Sequence, residues 1–147
     1  MRGALIQHHR DVDRLLSQTR RIAVLGIKPE HRASQPAHIV PAYLQRIGYD
    51  VIPVPVYYPD VASILGKPVF RDLKAVPGRI DLLNVFRKSS DLMPHLDDIL
   101  AVKPRAVWLQ SGIRDDAFAE RLLAAGVDVT QDQCLMVEHR RWQAARG

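Results

Sequence analysis

The chain has 147 residues, enough for one domain around a single core, and its 47% apolar and 25% charged residues are ordinary for a soluble globular protein. No stretch approaches the roughly 18 consecutive apolar residues that a membrane-spanning helix requires. The net charge of +5 invites a nucleic-acid partner, but the basic residues are scattered, with the densest group at His139, Arg140, Arg141 and Arg146. Three Phe, two Trp and four Tyr leave no basic stretch interleaved with aromatics, so a small anionic ligand is the expected partner, with no nucleic acid and no membrane.

The N-terminus, MRGALIQHHRDVDRLL, lacks an uninterrupted apolar core for a signal peptide, and the cytoplasm is the expected compartment. Cys134 is the only cysteine, which rules out an intramolecular disulfide. Residues 1–147 are read as one domain. Residues 1–19 supply a helix packed on it, and residues 131–147 a C-terminal tail or helix.

In chain order, Leu5, Ile6, Val12, Leu15 and Leu16 predict a helix over Ala4–Ser17. Arg21–Ile27 is a short apolar run, the first strand. It ends at Gly26, and a polar loop follows with Lys28, His31, Arg32 and Ser34. A helix from about Gln35 to Ile47 comes next, with Ser34 as N-cap, Pro36 in the first turn and Gly48 as its stop. Pro41 is placed either to kink this helix or to mark a late start of it. The second strand is Asp50–Pro55, cut short by its prolines.

Leu65-Gly66-Lys67-Pro68 predicts a turn, Val69–Arg71 a short extended piece, and Asp72–Val76 a single helical turn. The third strand is Ile80–Phe86, followed by a helix over Leu92–Val102. The fourth strand is Ala106–Gln110, followed by a helix over Asp115–Ala125, whose first-turn aspartates suit the positive end of the helix dipole. Gly126 closes it. The fifth strand is Val127–Thr130, and Leu135–Ala145 reads as a last helix.

Strands alternating with helices define an α/β fold: a doubly wound, Rossmann-like domain on a five-stranded parallel sheet. Right-handed crossovers lead to an expected strand order of 3-2-1-4-5. A ligand is then expected at the switch point between strands 1 and 4.

Several chemistries are absent. After Gly26 the next glycine is Gly48, so there is no G-x-G-x-x-G. There is no G-x-x-x-x-G-K-[ST], no G-x-S-x-G around Ser111, and no H-E-x-x-H or paired-cysteine metal spacing. The strongest remaining candidate is Gly26–Ser34. Lys28 and Arg32 can neutralise phosphates there, while Ser34 and the first N–H groups of the next helix bind them. The plain alternative is a surface loop with Ser34 as a cap.

At the third strand's end, Phe86 offers an apolar wall and Arg87 or Lys88 an anion contact; a buried Phe followed by solvated charges reads equally well. Gly112, in Gln110–Ile113, either lets a flat group approach the backbone or makes a turn. His8 and His9 read as solvated helix surface. Cys134 reads as a structural thiol rather than a nucleophile. Asp97-Asp98 and Asp115-Asp116 do not form acid/base pairs, since adjacent helical residues do not face each other. No catalytic or metal-ligating residue is assigned.

IAVLGIKPEHRAS, GYDVIPVPV, ILGKPVFRDL, IDLLNVFRKSSDLMPHLDDIL, AVWLQSGI and AGVDVTQDQCLMVEHRR, in this order and spacing, resemble the small free-standing CoA-binding proteins of bacteria. These in turn are similar to the CoA-binding, Rossmann-like domain of the succinyl-CoA synthetase α subunit. The resemblance implies coenzyme A held across the strand ends. It implies that Gly26, Ile27, Lys28, Arg32 and Ser34 cradle the diphosphate, and that Pro53, Val54, Pro55 and Val56 lie by the adenosine. Phe86 and Arg87 would flank the nucleotide, and Gln110, Gly112 and Ile113 the pantetheine.

The family often follows its second strand with an Asn-Pro pair and a basic residue; here Tyr57 and Tyr58 stand there instead. Nothing in the chain corresponds to the synthetase's later domain with its phosphorylated histidine, so ligase activity is not expected. The expected role is a non-catalytic binding or regulatory module for coenzyme A or a related adenine nucleotide. The alternative is an enzyme using CoA, acyl-CoA or NAD in the same groove.

Overall fold

The apolar runs become strands buried on both faces. A computed structural model describes residues 1–147. In it, the chain forms β1 (Arg21–Leu25), β2 (Asp50–Val54), β3 (Ser63–Ile64), β4 (Lys67–Pro68), β5 (Leu82–Val85), β6 (Ala106–Leu109) and β7 (Asp128–Thr130). The helices are α1 (His9–Ser17), α2 (Pro36–Arg46), α3 (Leu96–Val102), α4 (Asp116–Ala124) and α5 (Leu135–Arg146). β3 and β4 form a small antiparallel hairpin; the other five strands make one parallel sheet.

Period-2 alternation divides the core. Ala23, Leu25, Leu83, Val85, Val107 and Leu109 pack with α3 and α4 through Leu96, Ile99, Phe118 and Leu122. Ile22, Val24, Leu82, Ala106 and Trp108 pack on the opposite face with α1, α2 and α5 through Leu16, Leu44 and Leu135. All four residues of β5 and all four of β6 are buried, as expected of central strands covered by helices on both sides.

The fold class is the expected α/β Rossmann-like one, but the strand order differs. The sheet runs β2-β1-β5-β6-β7, which in the numbering of the five expected strands is 2-1-3-4-5 rather than 3-2-1-4-5. The reason lies in the second strand. Pro53 has no N–H to give to a ladder, so its strand belongs at an edge. There β2 pairs only with β1 within the sheet, and the Pro53 carbonyl accepts the Phe70 N–H at 3.0 Å from outside the ladder. The fully buried third strand, β5, takes the central place between β1 and β6. The winding therefore reverses between β1 and β5, and the expected neighbourhood of strands 1 and 4 does not exist.

Two boundaries move. Residues 3–6 are extended, not helical: Leu5 bridges Val129, and Ile6 N–H donates to the Val129 carbonyl at 2.8 Å, which covers the open edge of β7. α2 is preceded by Gln35 in extended conformation with no side-chain cap, so Ser34 is not its N-cap. Asp115 caps α4, its carboxylate accepting the Phe118 N–H at 3.0 Å. No helix is long and apolar enough to cross a membrane.

Candidate functional site at the ends of β1, β5 and β6

The three loops that leave the carboxyl ends of β1, β5 and β6 enclose a cleft of about 660 Å³, within the usual range for a small-molecule site. It flanks the β1/β5 reversal point, where open α/β sheets hold their ligands.

The β1 loop is built around Gly26. Its φ is +87°, and a Cβ there would stand 2.3 Å from the Phe86 carbonyl oxygen. Only glycine lets the ends of β1 and β5 close this tightly. Gly26 N–H donates to the Val54 carbonyl at 2.9 Å, and Phe86 N–H to the Leu25 carbonyl at 2.9 Å. Ile27 is 1% exposed, so its side chain belongs to the core. Lys28 is then pinned from two directions. Its N–H donates to the Ala37 carbonyl at 3.1 Å, and its own carbonyl accepts from His38 Nδ1 at 2.8 Å. This places Lys28 beside Gln35, Pro36 and Ala37, where the uncapped start of α2 meets the cleft. Arg32 and Ser34 are exposed and do not line the cleft.

The β5 loop contributes Phe86, Arg87 and Lys88 to the wall. Arg87 is held by three neighbours. Its Nε donates to His95 Nε2 at 3.1 Å, Asp91 lies 3.8 Å from Nη2, and the guanidinium stands 5.3 Å from the centre of the Tyr57 ring. Burial, with the Arg87 charge beside it, holds His95 below the ordinary histidine value and favours the neutral ring that accepts this bond. The region after β2 is fixed by another cation. Arg71 donates to the carbonyls of Tyr57 at 2.9 Å and of Tyr58 and Val61 at 2.6 Å. No basic residue directly follows β2 in sequence; Arg71, at the loop carbonyls, and Arg87, at the Tyr57 ring, are cations that contact this loop.

The β6 loop supplies Gln110, Ser111, Gly112 and Ile113. Gln110 is 4% exposed, and its Oε1 accepts both Asn84 Nδ2 at 3.2 Å and the Leu135 N–H at 3.4 Å. Asn84 is completely buried, and its Oδ1 is the one buried side-chain polar atom without a partner. Gly112 has φ +83° and donates its N–H to Asp132 at 2.6 Å. Trp108 Nε1 donates to the Gln133 carbonyl at 2.8 Å. These bonds draw residues 132–134 over the end of β6 and set Cys134, the residue before α5, in the cleft wall.

Of the residues expected from the sequence, Lys28, Phe86, Arg87, Gln110, Gly112 and Ile113 line this cleft. Gly26 and Ile27 sit behind it, while Pro53, Val54 and Pro55 are buried in or just after the edge strand, with Val56 partly buried beyond them. Gln35, Pro36, Ala37, Ser111 and Cys134 are lining residues that sequence reasoning did not assign. Three cations and no carboxylate line the walls, so the cleft selects for an anion.

A doubly wound parallel sheet with a cationic cleft beside its reversal point defines a nucleotide-binding-type α/β protein. Comparison with known proteins narrows the class. A family model described as a CoA binding domain matches residues 20–140, and the chain belongs to that family. It is 31% identical over 129 residues to YneT, an uncharacterized protein of Bacillus subtilis (strain 168), covering 88% of this chain and 92% of YneT. A solved structure from Thermus thermophilus, described as cell-free ID.343, is 42% identical with a TM-score of 0.85, covering 92% of this chain and 99% of that one. A hypothetical protein from Pyrococcus horikoshii OT3 superposes with a TM-score of 0.83 at 25% identity, covering 97% of each chain.

Proposed function

We propose that the cleft binds coenzyme A and that the protein is a non-catalytic binding or regulatory module. One observation carries this reading: Lys28, Arg87 and Lys88 converge with the uncapped start of α2 on one cleft that no carboxylate enters. The cations and the Ala37 N–H together fit a diphosphate. In this reading Lys28 and the Ala37 N–H hold the diphosphate. Gly26 and Ile27 shape the backbone behind it, with Arg32 and Ser34 at the outer rim. Arg87 and Phe86 flank the nucleotide, and Pro53 to Val56 form the support behind the adenosine side. Arg87, at the Tyr57 ring, supplies the charge for a ribose 3′-phosphate.

Gln110, Gly112 and Ile113 take the pantetheine arm.

Calorimetric titration with CoA, dephospho-CoA, acetyl-CoA, NAD and ATP tests the reading. It predicts saturable binding of CoA, weaker binding of dephospho-CoA, and little binding of NAD. No heat and no thermal shift with either CoA form would overturn it.

A further inference from the structure

Of the three cations in the cleft wall, only Arg87 is held by other side chains. Its side chain is 14% exposed, yet it makes a single hydrogen bond within the protein, from Nε to His95 Nε2 at 3.1 Å. Asp91 lies 3.8 Å from Nη2, beyond hydrogen-bond distance, and the Tyr57 ring centre is 5.3 Å from the guanidinium carbon. Nε is therefore engaged, while both Nη groups lack a hydrogen-bond acceptor in the folded chain. A guanidinium presents its donors as a rigid planar fork suited to two oxygens of one phosphate. With Nε tied, the Nη1–Nη2 edge is the fork left for a ligand.

His95 stands outside the cleft wall, and the direction of its bond has a consequence. An arginine Nε only donates, so His95 Nε2 is the acceptor and the ring proton sits on Nδ1. A second ring proton would set N–H against N–H and place a like charge beside the guanidinium. The charged groups around His95 are Arg87 from the β5 loop, Asp91 from the segment between them, and Asp98 from α3. Asp98 is paired with Lys74 at 3.6 Å, and Asp91 faces Arg87. Burial first, and then the Arg87 charge, favour the neutral ring against the pull of the two carboxylates.

We propose that His95 is a positioning residue for ligand selection: by holding Nε it fixes the Nη1–Nη2 edge of Arg87 for the ribose 3′-phosphate, so that the chain prefers coenzyme A to dephospho-CoA while the ring is neutral. This rests on the cleft being a CoA site with Arg87 at the 3′-phosphate. A proton on Nε2 removes the acceptor, and the guanidinium loses its fixed orientation. The preference is then present above the pH at which His95 titrates and is lost as the pH falls through it. Binding of the diphosphate, assigned to Lys28 and the Ala37 N–H, does not pass through His95. The residue thus governs which of the two nucleotides is chosen rather than whether either is bound.

The test is calorimetry of the wild-type chain, His95→Gln and His95→Ala with CoA and with dephospho-CoA, at about pH 7.5 and about pH 5. The readout is the ratio of the two affinities, in which a general weakening of the cleft cancels. Glutamine offers an acceptor near the position of Nε2 but does not titrate, and alanine offers none. At the higher pH the wild-type chain and His95→Gln should prefer CoA by about 10-fold or more, the value of one charge-assisted phosphate contact, and His95→Ala should keep less than about a third of that preference. Acidification also protonates the 3′-phosphate itself, near pH ~6, and His95→Gln records that part alone. The wild-type preference should fall about twofold or more beyond it. His95→Ala with the wild-type ratio, or His95→Gln losing as much preference in acid as the wild-type chain, overturns the proposal; if His95→Ala does not fold, the second comparison decides. No CoA binding by the wild-type chain removes the CoA site and this assignment with it, whereas CoA binding with an unresponsive ratio removes the assignment alone.

Discussion

Substituting Gly26 by alanine tests the construction of the cleft at its most constrained point. Two effects combine. The residue has φ +87°, where an L side chain is strained by about 1–2 kcal/mol. Its new Cβ would also stand 2.3 Å from the Phe86 carbonyl oxygen, a backbone atom that cannot rotate away. Moving it means separating the ends of β1 and β5, an overpacking cost of about 1–3 kcal/mol. The expected loss is therefore about 2–5 kcal/mol. At about 3 °C per kcal/mol for a chain of this size, the melting temperature should fall by about 6–15 °C.

Gly112→Ala is the internal control. Its φ is +83°, but nothing lies within 4 Å of an added Cβ, so only the strain of about 1–2 kcal/mol applies. Urea unfolding followed by tryptophan fluorescence reports both variants, since Trp108 is wholly buried. CoA titration of folded Gly26→Ala should also show weakened binding, because Phe86 and Lys28 move with the strand ends. If Gly26→Ala costs no more than Gly112→Ala, the close contact of β1 and β5 is not what the glycine serves.

Other perturbations address separate parts of the account. Lys28→Glu should weaken CoA binding by about 10–100-fold, the equivalent of one lost charge-assisted contact, with a smaller deficit at high salt; calorimetry at two ionic strengths measures it. Asp115→Ala removes the acceptor for the Phe118 N–H and should cost about 1 kcal/mol in urea unfolding without changing CoA affinity. His139 is buried, with Tyr43, Tyr49 and Trp142 around it, and burial, helped by the Arg146 charge, lowers its affinity for a proton. The unfolded chain then binds the proton more readily than the folded one. Stability should hold above about pH 6.5 and decline as pH falls from there toward the lower folded value. The urea midpoint of His139→Gln should depend less on pH across this window; an unchanged slope would assign the dependence to other groups.

The alternation of strands and helices was legible because β1, β5 and β6 are short apolar runs, each bounded by loop residues. Their lateral order was not, because alternation says which elements exist and not which strands are neighbours. The informative residue was Pro53, whose missing donor excludes a central place for β2 and leaves β5 beside β1. Ser34 reads as a cap by residue type, yet the chain enters α2 one residue later, at Gln35 and Pro36. Leu5 and Ile6 fit a helical spacing locally, but the open edge of β7 takes them as an extended segment.

Within the site, Lys28, Phe86, Arg87, Gln110, Gly112 and Ile113 were legible as loop residues at strand ends, which parallel strands gather on one side of the sheet. Cys134 was not. Its place depends on Trp108 holding the Gln133 carbonyl and on Gln110 holding the Leu135 N–H, contacts across 25 residues of chain in each case. The charge opposite Tyr57 was hidden for the same reason, since Arg87 arrives there from a different strand.

The most direct test of the central claim is a map of amide chemical-shift changes as CoA is added to isotopically labelled protein. The account predicts the largest changes around Gly26–Lys28, Gln35–Ala37, Phe86–Lys88, Gln110–Ile113 and Cys134. Largest changes at the opposite end of the sheet, around Thr19, Tyr49 and Trp142, would contradict it.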